Sequence, residues 1–348
     1  MKKFGEKFFY IDTLYSLFIC LLLENDLDKN FYFFSGKFPR IVMKNLRNKI
    51  IIKEIKVLKI ITYLTGAIFF RIIRLLFYKK TKNKRFYIHD GTEFSQYFLN
   101  NFDSNFIVIE DGTANYSIKD LEKFQERAKR RVNFSKKIKR NFVYGIKKIY
   151  PPLGVSEKVE KIILTGILPI PEVIKSKVEI INIEEKWNSL TKEKQREILS
   201  IFNIEIEDFE VLKNSVNKFL LLTQPLSEDG IMSEEEKISI YKNILQERNI
   251  KEVYIKIHPR ERTNYIKELQ NIKVHIIKKD FPVEILFLLN INFSKVITLF
   301  STAALNFKGK GEIEFIGTKN YPKLLERFGV IEDRKLRRIY NEGKIWKE

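Results

Sequence analysis

Short apolar runs and amphipathic stretches alternate along this chain from its first residues. Phe8 to Asp12 reads as a strand and Leu14 to Glu24 as a helix, with Thr13 near its N-cap. Asn30 to Phe34 and Lys49 to Ile55 read as further strands, as do Arg85 to His89 and Phe106 to Ile109. Asp90-Gly91-Thr92-Glu93 turns the third of these into a helix from Phe94 to Asn100. Lys161 to Leu164 and Val178 to Ile183 close the first half. The second half alternates more regularly. Its strands are Phe219 to Thr223, Val253 to Ile257, Val274 to Ile277, Val296 to Leu299 and Ile313 to Ile316, separated by helices such as Ser233 to Glu247. Strands joined by helical connections imply parallel sheets. The pattern predicts an α/β protein of two Rossmann-like domains, 1–212 and 213–348, facing a central cleft, with the Glu- and Lys-rich helices between Glu184 and Asn214 as the bridge.

Two stretches depart from that rhythm. Val57 to Tyr78 is apolar over a length that could span a bilayer, but Lys59, Arg71 and Arg74 interrupt it. A long helix, buried on one side or lying on an interface, fits better. Lys119 to Lys148 is a basic helical region that carries Arg127, Lys129, Arg130, Arg131, Lys136, Lys137, Lys139 and Arg140, with Phe124, Phe134 and Phe142 between them. Tyr150-Pro151-Pro152-Leu153-Gly154 ends it. At the N-terminus, Met1-Lys2-Lys3 before apolar residues imitates a signal peptide. Asp12 breaks the run and no small-residue cleavage site follows Leu23, so the chain is expected to start directly in its fold.

Composition changes the picture in two respects. Lys+Arg 64 against Asp+Glu 44 gives a formal charge of +20, which points to an anionic partner: a membrane or glycan surface, a phosphorylated donor, or nucleic acid. A codon bias towards Lys, Ile, Asn and Phe accounts for part of it. Cys20 is the sole cysteine, so no disulfide forms within the chain and a reducing, cytoplasmic compartment is compatible. Three histidines and one cysteine make a His/Cys metal site an unpromising reading.

Chemistry-bearing residues gather at strand tips, where open α/β sheets bind ligands. Phe106 to Ile109 ends in Glu110-Asp111-Gly112-Thr113, an acid pair before a turn glycine; a partly desolvated carboxylate there could deprotonate a hydroxyl. Val253 to Ile257 ends in His258-Pro259-Arg260, where the imidazole could serve a leaving phosphate and the guanidinium could add charge. Val296 to Leu299 leads to Ser301-Thr302 and a helix start at Ala303-Ala304-Leu305, suited to phosphate oxygens. Singly, these motifs are also ordinary turns, a structural histidine and helix caps. A phosphate-binding Gly-x-x-x-x-Gly-Lys-Ser/Thr loop, a Gly-x-Gly-x-x-Gly fingerprint and an Asp-x-Asp metal motif are all missing from the sequence, which predicts a transfer without a metal.

Together these residues resemble the bacterial sialyltransferases, most closely glycosyltransferase family 52, which includes lipooligosaccharide α-2,3-sialyltransferases. The resemblance rests on Glu110-Asp111-Gly112, on His258-Pro259, on Phe300-Ser301-Thr302-Ala303-Ala304-Leu305, and on the opening Asp12-Thr13-Leu14-Tyr15. It implies a GT-B fold, an inverting transfer of sialic acid from CMP-sialic acid to a terminal galactose of a surface glycan, and no cofactor or metal. His258 would then assist CMP departure and Ser301 and Thr302 would hold its phosphate. Relatives place the base either in the acid-acid-Gly motif or in a loop before His-Pro. Here those are Glu110 or Asp111, with Glu110 preferred, and Glu228-Asp229-Gly230 after Thr223-Gln224-Pro225. Gly112, Thr113, Gln224, Glu228, Pro259 and Arg260 would line the substrates. The resemblance also suggests a homodimer, and the basic region would dock peripherally on the inner face of the cytoplasmic membrane. Two other readings are a GT-B transferase of another nucleotide sugar and a basic nucleic-acid-binding protein; the second leaves the strand-tip motifs unexplained.

Overall fold

A computed structural model describes residues 7–35, 38–52, 59–112, 114–116, 137, 139–214, 218–307 and 309–331. The chain divides into two compact units, Met1–Asn203 and Ile204–Glu348. In the first, β1 (Lys7–Ile11), β2 (Phe31–Ser35), β3 (Lys49–Ile52), β4 (Arg85–Ile88), β5 (Asn105–Ile109), β6 (Val159–Leu164) and β7 (Val178–Ile180) form one parallel sheet in the order β3-β2-β1-β4-β5-β6-β7. Strand succession runs outward from β1 to β3 and then restarts on the other side of β1 at β4. The β1/β4 junction is therefore the switch point of this sheet, where a crevice opens beyond the carboxyl ends of the strands.

Aromatic residues build the core under that sheet. Phe8, Phe33, Phe86, Phe98 and Phe106 are fully buried, and Phe86 lies 4.8 Å from Phe98 and 5.5 Å from Phe106 between ring centroids. Helix α1 (Leu14–Leu23) starts at Thr13, whose hydroxyl accepts the Ser16 N–H at 3.1 Å, the N-cap expected from the sequence. Helix α2 (Arg40–Lys44) is a single turn. Helix α3 (Lys59–Thr81) is the long helix expected from Val57 to Tyr78, and no described helix is long and apolar enough to cross a membrane. Helix α4 (Glu93–Asn101) opens with a capping box between Thr92 and Ser95. The strand expected to reach Ile183 stops at Ile180, because Asn182 caps the helix Ile183–Asn188 by accepting the Glu184 and Glu185 N–H groups.

The second unit carries β8 (Phe219–Leu222), β9 (Glu252–Lys256), β10 (Lys273–Ile277), β11 (Lys295–Thr298) and β12 (Glu312–Phe315), parallel and ordered β10-β9-β8-β11-β12. Its switch point lies between β8 and β11. The segment just after residue 203 packs within this unit: Phe209 meets Phe281 edge-on at 5.9 Å and Asp208 pairs with Lys278 at 2.7 Å. Thr302–Phe307 is a six-residue 3-10 helix rather than the start of a longer α-helix. Three residues per turn place Ala304 and Phe307, both fully buried, on the same side of the segment. Most of the basic region 119–148, namely 119–136 and 138, lies outside the described residues.

Candidate functional site

At the switch point of the first sheet, Asp12, His89 and Asp111 follow the ends of three adjacent strands, β1, β4 and β5. His89 Nδ1 lies 3.3 Å from Asp12 Oδ2 and 3.5 Å from Asp111 Oδ2. The Thr13 hydroxyl donates to Asp111 Oδ1 at 2.7 Å, so the residue that caps α1 also holds this carboxylate. Burial opposes a charge on His89, but the hydrogen bond to Asp12 and the nearby Asp111 outweigh it and raise its pKa to about 9. Burial raises Asp111 above the usual carboxylate range, with the His89 charge acting against that. The donor atoms of these three residues all lie within 4.8 Å of one another, so a cation also fits the set chemically. The imidazolium already sets a positive charge against both carboxylates, while Asp12 Oδ1 is buried without a hydrogen-bond partner.

Glu110, one residue earlier, has another role. It is 1% exposed, and its carboxylate accepts from Tyr15 Oη at 2.9 Å, Tyr116 Oη at 2.6 Å, the Thr165 N–H at 2.5 Å and the Thr165 hydroxyl at 2.9 Å. A carboxylate so saturated ties β5 to the end of β6, and it leaves little room to receive a proton from substrate. Burial also raises the Glu110 pKa, while these hydrogen bonds act against that. Gly112 turns the chain at φ +67°, where a side chain would be strained. Thr113 lies outside the described residues. Asp90, in the weaker Asp-Gly pair, is buried and accepts the Leu153 and Gly154 N–H groups at 2.7 and 2.8 Å, a purely structural anchor.

In the second unit the turn after β9 is held from within. The His258 N–H donates to Glu261 Oε1 at 3.0 Å, and the Glu261 N–H donates back to the His258 carbonyl at 2.9 Å. The Arg260 N–H donates to His258 Nδ1 at 3.2 Å. A ring nitrogen that accepts carries no proton, so the neutral imidazole bears its hydrogen on Nε2. Burial, joined by the Arg260 charge, lowers the His258 pKa to about 4 and keeps the ring neutral near pH 7. Glu261 is fully buried and also accepts from the Thr223 hydroxyl and Tyr265 Oη, each at 2.6 Å. It thereby joins the tip of β8 to the His258 turn.

The loop after β8 repeats the acid-acid-Gly arrangement with the same division of labour. Glu228 accepts from Lys237 Nζ at 3.0 Å and from the Arg262 N–H at 2.7 Å, which hold it below its ordinary pKa against the effect of burial. Asp229 is an exposed residue and pairs with Arg260. Gly230 follows at φ +69°. Gln224 is fixed through its N–H to Tyr241 Oη at 2.8 Å, and its buried side-chain oxygen has no hydrogen-bond partner. Pro259 is exposed. Ser301 and Thr302 are half-buried beyond β11, next to β8, and the Ser301 N–H is held by the Thr298 hydroxyl at 3.1 Å. Because Thr302 opens a short 3-10 helix, the two hydroxyls are not backed by an α-helix dipole.

Sequence reasoning thus singled out His258, Arg260, Asp111 and Asp229, all present at strand tips or their loops, but passed over His89, Glu261 and Lys237. His89 was in reach, since it ends the strand read over Arg85 to His89. The other two are legible only once the chain folds, because the fold brings Glu261 to Thr223, 38 positions before it, and to Lys237, 24 positions before it.

A model of glycosyltransferase family 52 matches residues 18–319. An uncharacterized protein of Haemophilus influenzae is 40% identical over 228 residues, 66% of this chain and 67% of its own length. Among solved structures, an α/β-galactoside α-2,3-sialyltransferase from Photobacterium phosphoreum aligns over 97% of this chain and 96% of its own, with a TM-score of 0.58 and 13% identity. A 2,6-sialyltransferase from Photobacterium sp. JT-ISH-224, solved with CMP and lactose, aligns over 89% of this chain and 70% of its own, with a TM-score of 0.60 and 14% identity. The architecture of two parallel-sheet Rossmann-like units is that of the GT-B fold.

Proposed function

We propose, from the premise that this chain belongs to glycosyltransferase family 52, that it is an inverting sialyltransferase acting from CMP-sialic acid on a terminal galactose. The observation that carries the reading is the His258 turn: a neutral imidazole whose Nε2–H is left to donate, at the tip of β9, because the Arg260 N–H occupies Nδ1. A hydrogen bond from Nε2 would stabilise charge developing on the CMP phosphate as its oxygen leaves the sugar. The solved relative with CMP and lactose bound supports this choice of substrates.

In the proposed reaction a galactose hydroxyl oxygen forms a bond to the anomeric carbon of sialic acid as the bond from that carbon to the phosphate oxygen breaks. The hydroxyl proton passes to a carboxylate, and the departing electron pair stays on CMP. Asp111 is the first choice as base: burial raises both Asp111 and Glu110, but Glu110 is saturated with hydrogen bonds while Thr13 and His89 orient Asp111. Asp229 is a second reading, favoured by its pairing with Arg260 two residues from His258. Ser301 and Thr302 would donate hydrogen bonds to oxygens of the phosphate, and Gln224 would use its unpartnered oxygen on the donor. No step requires a metal, because the imidazole supplies the electrophilic assistance. An α-2,3 linkage to lipooligosaccharide or capsule is proposed from the family alone.

The test is mass spectrometry of lactose incubated with CMP-sialic acid and the enzyme in EDTA, beside a panel of other nucleotide sugars. Sialyl-lactose formed in EDTA supports the reading. Transfer from a different nucleotide sugar alone replaces the donor, and activity that appears only on adding a divalent cation assigns the Asp12, His89 and Asp111 set to a metal.

A further inference from the structure

Helix α3 is apolar on two faces, and among the described residues only one of them is covered. Ala67, Phe70, Ile73 and Phe77, 2 to 4% exposed, form the inner face. Phe70 packs against Tyr97 and Tyr144 with centroids 4.7 Å away, and Phe77 packs against Phe31 at 4.7 Å and Phe33 at 5.3 Å. Leu64, Ile68, Ile72, Leu75 and Leu76 are 50%, 57%, 48%, 80% and 53% exposed. Their spacings of four, four, three and one place them along a single outward stripe. At about 1.5 Å per residue the stripe is roughly 18 Å long. Monomeric proteins in water seldom leave so continuous an aliphatic surface bare.

The charges around the stripe indicate what covers it. The helix has Arg71, Arg74, Lys79 and Lys80 beside and beyond the stripe, and its 23-residue sequence contains no acidic residue. Arg71 lies 5.7 Å over the ring of Phe142, which is 43% exposed and comes from the π-helix Lys139–Val143, whose Arg140 pairs with Glu93 at 3.2 Å. A helix with aliphatic residues outward and cations on its flanks fits an anionic bilayer surface, with the side chains at acyl depth and the cations among phosphates. A second copy would set these cations against their own kind, with no carboxylate on the helix to answer them. With those cations the helix as a whole is not apolar enough to cross a membrane, so it lies on one rather than through it.

We infer that the outward face of α3, centred on Ile68, Ile72 and Leu75, docks this protein on a bilayer rich in anionic phospholipid. The surface stands independently of the reaction proposed above. It differs from the basic region 119–148 as the docking element, since aliphatic insertion, not charge alone, supplies the contact.

Flotation of the full chain with vesicles of phosphatidylcholine, with or without about 30% phosphatidylglycerol, tests it. Wild type is expected to float with the anionic vesicles and to lose most of that binding at about 0.5 M salt. The Ile68→Asp/Leu75→Asp variant, altered only at exposed positions, should keep its thermal transition and bind at least about tenfold more weakly. A Leu75→Trp variant should show emission shifted to the blue on adding anionic vesicles. Equal flotation of the double variant overturns the proposal, as does equal binding to neutral vesicles. Conversion from dimer to monomer by the aspartates, with lipid binding unchanged, makes the face a contact between copies. Emission already blue without lipid and unmoved by vesicles makes it a surface covered by the chain itself; either outcome also overturns the proposal.

Discussion

His258 and Glu261 close a reciprocal ring, the N–H of each answered by an oxygen of the other at 3.0 and 2.9 Å. The ring fixes the turn in which Arg260 claims Nδ1 of the same imidazole. Glu261→Gln puts an amide group where Thr223 and Tyr265 both donate, so one donor is left facing another. Urea unfolding is expected to show a loss of about 1–3 kcal/mol. Turnover should fall more than donor binding does, because a loosened turn misplaces the imidazole rather than removing a contact.

Removing the imidazole itself separates chemistry from folding. His258 is only partly buried and its ring accepts a hydrogen bond from within its own turn, so His258→Gln should unfold within about 0.5 kcal/mol of wild type. Its kcat is expected to fall roughly 100-fold or more, with CMP affinity, measured by calorimetry, changed much less.

The acid pair of the first unit should divide by variant. Glu110→Gln breaks a saturated buried network joining Tyr15, Tyr116 and Thr165, and a loss of about 2–4 kcal/mol is expected in chemical denaturation. Asp111→Asn loses one hydrogen bond and one ion pair in a partly exposed place, so its stability should change by about 1 kcal/mol or less. Its transfer activity should collapse. If Asp111→Asn keeps full activity while Asp229→Asn loses it, the base lies in the second unit.

The imidazoles give a direct pH signature by NMR. His89 should titrate near pH 9 and His258 near pH 4, on opposite sides of the ordinary 6.5. Folding favours the protonated His89, so its stabilisation is complete below pH 6.5 and fades as pH rises through about 9. Folding favours the neutral His258, so stability is lost as pH falls from 6.5 towards about 4. A His89→Gln variant should therefore approach wild-type stability only above pH 9.

The alternation of apolar runs with helical connections made the parallel sheets legible, since a strand covered on both faces is apolar throughout. Thr13 as a cap and Gly112 and Gly230 as turns were legible for similarly local reasons. The division of labour within each acid pair was not. Glu110 and Glu228 are structural while Asp111 and Asp229 are presented, and the difference arises from partners such as Thr165 and Lys237 that only the fold brings near. The short 3-10 helix at Thr302 escaped for the same reason, as its three-residue turn follows from how Ala304 and Phe307 are buried together. The outward face of α3 was visible as apolar residues among cations, but which of them are covered depends on packing.

The measurement closest to the central claim is CMP release from CMP-sialic acid in EDTA, with and without lactose, for wild type and His258→Ala. The account predicts release that lactose stimulates in wild type and that falls by at least about two orders of magnitude in the variant. Wild-type protein that neither binds nor turns over CMP-sialic acid would contradict the donor assignment, and lactose-stimulated release at full rate in His258→Ala would contradict the role given to the imidazole.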